Sequence, residues 1–293
     1  MNVKEASLIS YLVNVLDGKA EMPSYLFDEF ADLSRKALKK HFTRKKEDFR
    51  LRMSNVGKPL CQLQMQAKGV EPEKPSHDFI VRMIIGDMLE ALVIVLLKAA
   101  KIEVKSQHQK VSLGVGDRQI EGEYDIELDD GIYDIKSVSP FSFTTKFNAD
   151  NGYDKIKQSD SFGYISQGHG YGMAANKPFK GWIAINKTTG EIVFTDSKHT
   201  DAEKKEVYSK IYNTSTALLD EKPFERCFTD VEEVYYSKPT GNRTLGIECS
   251  YCPYKHDCWD NLEFRRQLPS KGKNPKWTWY TKIDPKWMEE NVQ

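Results

Sequence analysis

The chain has no apolar run able to span a bilayer. The longest, Ala91–Leu97, is far shorter than the ~20 residues required. Its start, MNVKEASLIS, lacks the basic cluster and apolar stretch of a signal peptide. Neither sign of charge is in excess, with 43 basic and 43 acidic residues. That balance argues against a uniformly basic nucleic-acid-coating surface and leaves room for a local basic groove around an acidic centre. Cysteine is scarce, and five in 293 residues do not make a disulfide scaffold. These absences predict a soluble, intracellular protein whose cysteines serve metal binding. The length is ample for a sizeable core, as one large domain or one domain with additions.

What is present is organised around Glu121–Ser137, EGEYDIELDDGIYDIKS. Asp129-Asp130-Gly131 reads as the turn of a hairpin between alternating segments. Side chains alternate along a strand, so Asp134 and Lys136 share a face while Tyr133 and Ile135 take the other. With Asp125 on the partner strand, two carboxylates and an ammonium converge. Such oxygen ligands suit Mg²⁺ or Mn²⁺, and the lysine can orient an attacking water or offset charge on a phosphate.

Residues 1–52 predict helices. Leu8, Tyr11, Leu12 and Val15 fall at helical spacing up to Asp17-Gly18, and a second helix follows Pro23. That helix ends in a basic run, Arg35–Lys46, which suits a DNA backbone or a solvated face equally. Gly57-Lys58-Pro59 predicts a turn into a helix carrying Cys61. Phe79–Ala100 reads as a long helix packed in the core, with Glu90 in its middle, and a carboxylate there is costly unless paired or metal-bound. A strand over Ile102–Leu113 precedes the hairpin. Val138–Phe162 reads as a long functional or mobile loop. It offers Lys146, Lys155 and Lys157 to phosphates, and its phenylalanines 141, 143 and 147 either to bases or to the core. Ser161–Asn176 predicts a helix with Gln167 and Tyr171 on one face and His169 on another. Gly181–Asn186 and Glu191–Asp196 form a second hairpin that completes the sheet, and Asp201–Leu219 an outer helix.

Cys249, Cys252 and Cys258 lie close together in a turn-rich segment, IECSYCPYKHDCW. They look like metal ligands short of a fourth. Zinc would ordinarily show a second close pair or two histidines, with His256 the candidate here. An iron–sulfur cluster takes four thiolates, one of which can be remote. Cys61 and Cys227 are the available partners.

In order, these pieces are Cys61, Gly86-x-x-x-Glu90, Asp125, Asp134-x-Lys136, Gln167-x-x-x-Tyr171 and the cysteine triplet. Over roughly Ser54–Leu262 that order resembles the PD-(D/E)xK nuclease superfamily, in its RecB-like exonuclease branch with a C-terminal iron–sulfur cluster. The AddB nuclease domain and the CRISPR-associated adaptation nucleases belong to that branch. The chain departs in having Asp134 where many members have Glu, and Glu90 where others have His. Both keep a metal ligand.

The resemblance implies an α/β fold with a central mixed sheet flanked by helices, a restriction-endonuclease-like core. It divides the chain into an N-terminal helical region (1–78), the nuclease core (79–225) and a C-terminal cysteine-cluster lobe and tail (226–293). Glu90, Asp125, Asp134 and the carbonyl of Ile135 would hold Mg²⁺ or Mn²⁺, Lys136 would position the water, and Gln167 and Tyr171 would orient the strand. Cys61, Cys249, Cys252 and Cys258 would hold a structural [4Fe-4S] cluster, leaving Cys227 as a packing residue. The implied activity is hydrolysis of DNA, single-stranded or at strand ends, by an exonuclease of recombination, repair or phage replication. Its place would be the cytoplasm of a bacterial or phage-infected cell. The alternatives are a non-catalytic nucleic-acid-binding module with a zinc or iron–sulfur lobe, and an interaction scaffold. The aromatic tail, with Trp277, Trp279, Tyr280 and Trp287, is expected to pack onto the domain, the other reading being a nucleic-acid or partner surface.

Overall fold

The computed structural model describes residues 2–43 and 47–289; the end of the basic run, 44–46, lies outside them. By contacts the chain divides into two units, the first Met1–Lys58 with Pro75–Ala217, the second Pro59–Lys74 with Leu218–Gln293.

In the first unit, α1 (Val3–Leu16) is capped by the Asn2 side chain, which accepts the Lys4 N–H. α2 (Ser24–Phe42) enters after Pro23 and buries Leu26, Leu33 and Ala37. The helical expectation to residue 52 fails at 47–52, which forms no helix, and Arg52 instead bridges Glu121. α3 (Leu60–Ala67), which belongs to the second unit, follows Pro59. α4 (Asp78–Ala99) buries Val93, Ile94, Val95 and Leu97 in succession, so its C-terminal half is enclosed all round.

The sheet begins with a hairpin longer than the sequence implied, β1 (Val104–Val115) against β2 (Arg118–Leu128). β3 (Gly131–Val138) follows the expected tight turn at Asp129-Asp130. The next stretch corrects the sequence reading. Val138–Phe162 is not a loop but α5 (Pro140–Ser142), a π-helical turn (Phe143–Phe147) and α6 (Gly152–Gln158). Phe143 and Phe147 are buried in the core, while Phe141 is exposed. α7 (Tyr164–Ala175), β4 (Phe179–Asn186), β5 (Ile192–Asp196) and α8 (Asp201–Leu219) complete the order.

The fold is α/β, with a mixed five-stranded sheet in the order β1-β2-β3-β4-β5. Only β3 and β4 pair in parallel, since the helices between them carry the chain across the sheet. One face packs Tyr133, Ile135, Ile183 and Ile185 with residues of α1, α2 and α4. The other packs Ile132, Trp182 and Ala184 with α6, α7 and the π-helical turn. The glycines of α7 allow that contact, since a Cβ on Gly168 would lie 2.2 Å from the Phe179 ring.

The second unit holds a four-stranded sheet, β6-β7-β9-β8. Its elements are β6 (Val231–Tyr235), β7 (Lys238–Thr244), α9 (Ile247–Ser250), α10 (Lys255–Cys258), β8 (Glu263–Arg266), β9 (Trp277–Lys282) and α11 (Lys286–Glu289). Tyr280 is fully buried at its centre and donates to Glu233 Oε1 at 2.9 Å. Among the described residues no helix is long and apolar enough to cross a membrane.

Candidate active site

The ladder between β2 and β3 pairs Ile126–Leu128 with Gly131–Tyr133. At the next step the pattern changes, and Asp125 Oδ2 accepts the Ile135 N–H at 2.7 Å. Asp125 is thereby fixed beside Asp134. Asp134 is 1% exposed, and neither of its oxygens has a hydrogen bond of regular geometry. Lys136 Nζ lies 2.6 Å from Asp134 Oδ2 and 5.2 Å from the centre of the Tyr164 ring. From the other side α4 approaches β3 closely at Gly86, where a Cβ would stand 3.3 Å from Ser137 Oγ. One turn later Glu90 comes within electrostatic reach of Asp125, Asp134 and Lys136. The hairpin and α4 thus bring together the four residues that the sequence singled out.

Their electrostatics are those of a site with too much negative charge. Burial, and then Asp134, push the Asp125 carboxyl up to about 7. Burial, Asp125 and Asp87 raise Glu90 well above the carboxylate range. Burial also raises Asp134, against the pull of Lys136. Burial works against the Lys136 ammonium, but Asp134 and Asp125 more than offset it and hold it charged. Among the described residues no group of three His, Cys, Asp or Glu side chains is arranged to hold a metal ion as it stands. The donor set nonetheless fits a hard divalent cation: oxygen ligands only, mutually repelling, one of them a buried carboxylate without regular hydrogen bonds.

Glu90, Asp125 and Tyr171 reach the wall of a cavity of about 1060 Å³. Its lining carries five basic side chains, Lys36 and Lys40 from α2, Arg50 and Arg52, and Lys110 from β1, alongside Asp87, Glu121 and Glu123. The arginines are held there because Met53 is fully buried and its N–H bonds the Glu121 carbonyl at 2.8 Å. Lys40 also pairs with Asp87 at 2.9 Å, and Arg52 with Glu47. Gln167 and Tyr171 share one face of α7, as expected, and Gln167 Nε2 donates to Tyr171 Oη at 3.2 Å. His169 lies apart from them, buried against Tyr153 and Ser197. The loop lysines are otherwise engaged: Lys146 bonds the Ser159 carbonyl and Lys157 pairs with Glu203, while Lys155 is exposed.

Sequence reasoning missed His108. Its Nδ1 stands 3.6 Å from Glu90 Oε1 and 3.8 Å from Glu123 Oε1, with φ at +51°. Burial lowers its pKa, which favours the neutral ring. Strand alternation gave no signal for it, because its positive φ interrupts the regular strand and only the fold brings it to the cavity.

In the second unit Cys61 and Cys227 meet. The Cys61 N–H donates to Cys227 Sγ at 3.1 Å. The Cys61 thiol hydrogen-bonds the same sulfur, drawing Cys227 down to about 6 and pushing Cys61 up. Both sense Cys258, which in turn influences Cys249. Cys227 is exposed and hydrogen-bonded to Cys61 rather than packed in the core, so both candidates for a fourth ligand stand together. His256 meets the Trp279 ring edge-on at 5.1 Å.

No protein-family model matches the chain, and no curated protein matches it. Among solved structures, one described as "Crystal structure of SSO0001" is similar at a TM-score of 0.42 and 15% identity, covering 76% of this chain and 93% of that one.

Proposed function

We propose that the chain is a Mg²⁺- or Mn²⁺-dependent deoxyribonuclease that hydrolyses DNA from strand ends. One observation carries the reading: Glu90, Asp125, Asp134 and Lys136 come together beside a cavity whose lining includes five basic side chains. An acidic centre beside basic side chains suits a phosphodiester, with phosphates held by those side chains and the reacting phosphate brought to the carboxylates. Glu90, Asp125, Asp134 and the Ile135 carbonyl are the ligands in this reading. When bound there, Mg²⁺ or Mn²⁺ supplies charge stabilisation at the phosphate and lowers the pKa of the attacking water. Lys136 stays protonated beside two carboxylates, so it orients water by donating hydrogen bonds and offsets phosphate charge rather than acting as a base. Gln167 and Tyr171, already hydrogen-bonded to each other, orient the strand. The resemblance to RecB-like nucleases, set out from the motifs, supports the same assignment. It also makes the second unit an iron–sulfur lobe held by Cys249, Cys252, Cys258 and either Cys61 or Cys227.

The test is cleavage of end-labelled linear and circular DNA, single- and double-stranded, with Mn²⁺ or Mg²⁺, by the parent and Lys136→Ala. Loss of linear but not circular DNA, abolished by the substitution, is expected. Cleavage that survives Lys136→Ala would place the chemistry elsewhere. Binding without cleavage under any metal would make the chain a non-catalytic nucleic-acid-binding module.

A further inference from the structure

The hairpin of β8 and β9 carries an outward aromatic ladder. Phe264 stands opposite Trp279 in the antiparallel register, and Arg266 opposite Trp277. The Phe264 ring stacks on Trp279 at 4.5 Å and 30°, and on Trp277 at 5.1 Å and 29°. The Arg266 guanidinium lies over Trp277 at 5.9 Å. Trp279 is the inner end of the ladder, packed beside Leu245, Cys249 and Trp259. The outer end is open to solvent, with Phe264 49% and Trp277 54% exposed. Alternation accounts for the arrangement. Tyr280, on the opposite face of β9, fills the core of this sheet.

Charge is concentrated on the same hairpin. Residues 263–282 hold six basic residues (Arg265, Arg266, Lys271, Lys273, Lys276 and Lys282) against one acidic, Glu263, in a chain whose net charge is zero. Arg265 pairs with Glu263 at 2.5 Å. Arg266, Lys271, Lys273 and Lys276 have no ion pair among the described residues. Stacked rings presented to solvent and flanked by unpaired cations suit unpaired bases joined by phosphates. Each base has a π-face for the rings, and each phosphate can displace counterions from the lysines. A protein partner of ordinary surface would leave the cations unmatched, and duplex DNA keeps its π-faces stacked internally.

We infer that the β8–β9 hairpin is a binding platform for single-stranded nucleic acid, in which Phe264 and Trp277 stack on bases and Arg266 with the lysines of 271–276 contacts phosphates. The platform uses none of the carboxylates, so it stands apart from the nuclease reading.

The experiment uses the full chain carrying Lys136→Ala, without added divalent metal. Anisotropy of a fluorescein-labelled thymidine 20-mer is titrated against the same chain with Phe264→Ala and Trp277→Ala added, and separately with Lys271, Lys273 and Lys276 changed to Glu. The aromatic pair is expected to weaken binding at least ten-fold, because each ring supplies a stacking face for a base. On an abasic oligomer of equal length, parent and aromatic variant should bind alike and weakly. The charge-reversed variant alters only the exposed turn and should both weaken binding and flatten its salt dependence. Affinity for the thymidine oligomer within two-fold of the parent in both variants overturns the inference. So does a platform whose loss changes only self-association or adsorption to anionic vesicles. Cleavage by the Lys136-bearing chain is scored separately, so either reading can fail alone.

Discussion

Asp125 shows what one residue contributes when function and stability pull apart. Its carboxyl is enclosed beside Asp134 and raised to about 7, against about 3.9 in an unfolded chain. The folded state therefore binds the proton more tightly, and the stability this confers is lost as pH rises through that window toward 7. At pH 8 without divalent metal, Asp125→Asn should melt above the parent, because Asn keeps an acceptor for the Ile135 N–H and removes the charge. Adding Mn²⁺ should then raise the melting temperature of the parent more than that of the variant, while cleavage falls at least about a hundred-fold in the variant, as loss of a preorganised electrostatic group does elsewhere. Equal Mn²⁺ shifts would remove Asp125 from the ligand set. His169 has the opposite sign. Burial lowers its pKa to about 4, so below the unfolded value of about 6.5 the unfolded chain takes up a proton that the folded chain refuses. Stability should fall as pH drops from 6.5 toward 4, by on the order of 2–3 kcal/mol from this group. Urea titrations at pH 7 and 4.5 should show a smaller loss for His169→Gln than for the parent; an equal loss would assign the acid sensitivity to other groups.

At the scale of elements, α7 positions Gln167 and Tyr171 by lying very close to β4, and it does so through residues that are poor helix formers. Gly168→Ala removes a helix-interior glycine, a gain of about 1 kcal/mol in an isolated helix. Here its Cβ would stand 2.2 Å from the ring of Phe179, itself only 2% exposed. The clash should win, for a net loss of roughly 1–3 kcal/mol, since overpacking a rigid neighbour displaces backbone. Gly170→Ala meets Met53 Sδ at the same 2.2 Å, but a thioether can swing aside, so its loss in a urea titration should be the smaller. The reverse ranking would mean that α7 does not seat on β4 as described. These contacts also explain which elements could be read from sequence. The α4 helix, the turn at Asp129-Asp130 and the β4–β5 hairpin each carry a periodic or turn signal of their own. The stretch after β3 does not. Ser139 and Pro140 open a helix there, a π-helical turn follows, and Phe143 and Phe147 are held by the core, so its polar composition looked like a loop. The carboxylates and Lys136 were legible because strand alternation fixes their face. His108 and the arginines at 50 and 52 were not, because a strained backbone and a single bridge to Glu121 put them at the cavity.

At the scale of the whole molecule, the second unit is assembled from two pieces far apart in sequence, Pro59–Lys74 and Leu218–Gln293. Between them runs the larger part of the first unit, Pro75–Ala217, so Cys61 and the triplet at 249–258 close a loop of well over a hundred residues. Gln64 contributes a bond within the second unit, donating to the Lys222 carbonyl at 2.9 Å, and Lys255 pairs with Glu73. These polar contacts tie the short piece to the long one, and beside the cysteines lies an apolar cluster of Leu245, Cys249 and Trp259 with partly buried neighbours. Covalent closure of a loop this long is worth about 4–5 kcal/mol in chain entropy when a disulfide does it, and thiolates sharing one cluster impose the same constraint. In the iron–sulfur reading proposed above, anaerobically purified protein is expected to be coloured and to contain iron, and an iron-free, zinc-loaded protein would count against the cluster. Removing the iron with a chelator, or substituting Cys258→Ser, should split thermal unfolding into two transitions. Proteolysis between the two transitions should cut within 218–289, while residues 75–217 stay protected. A single transition at the same temperature with and without iron would show that the second unit holds together without a cluster.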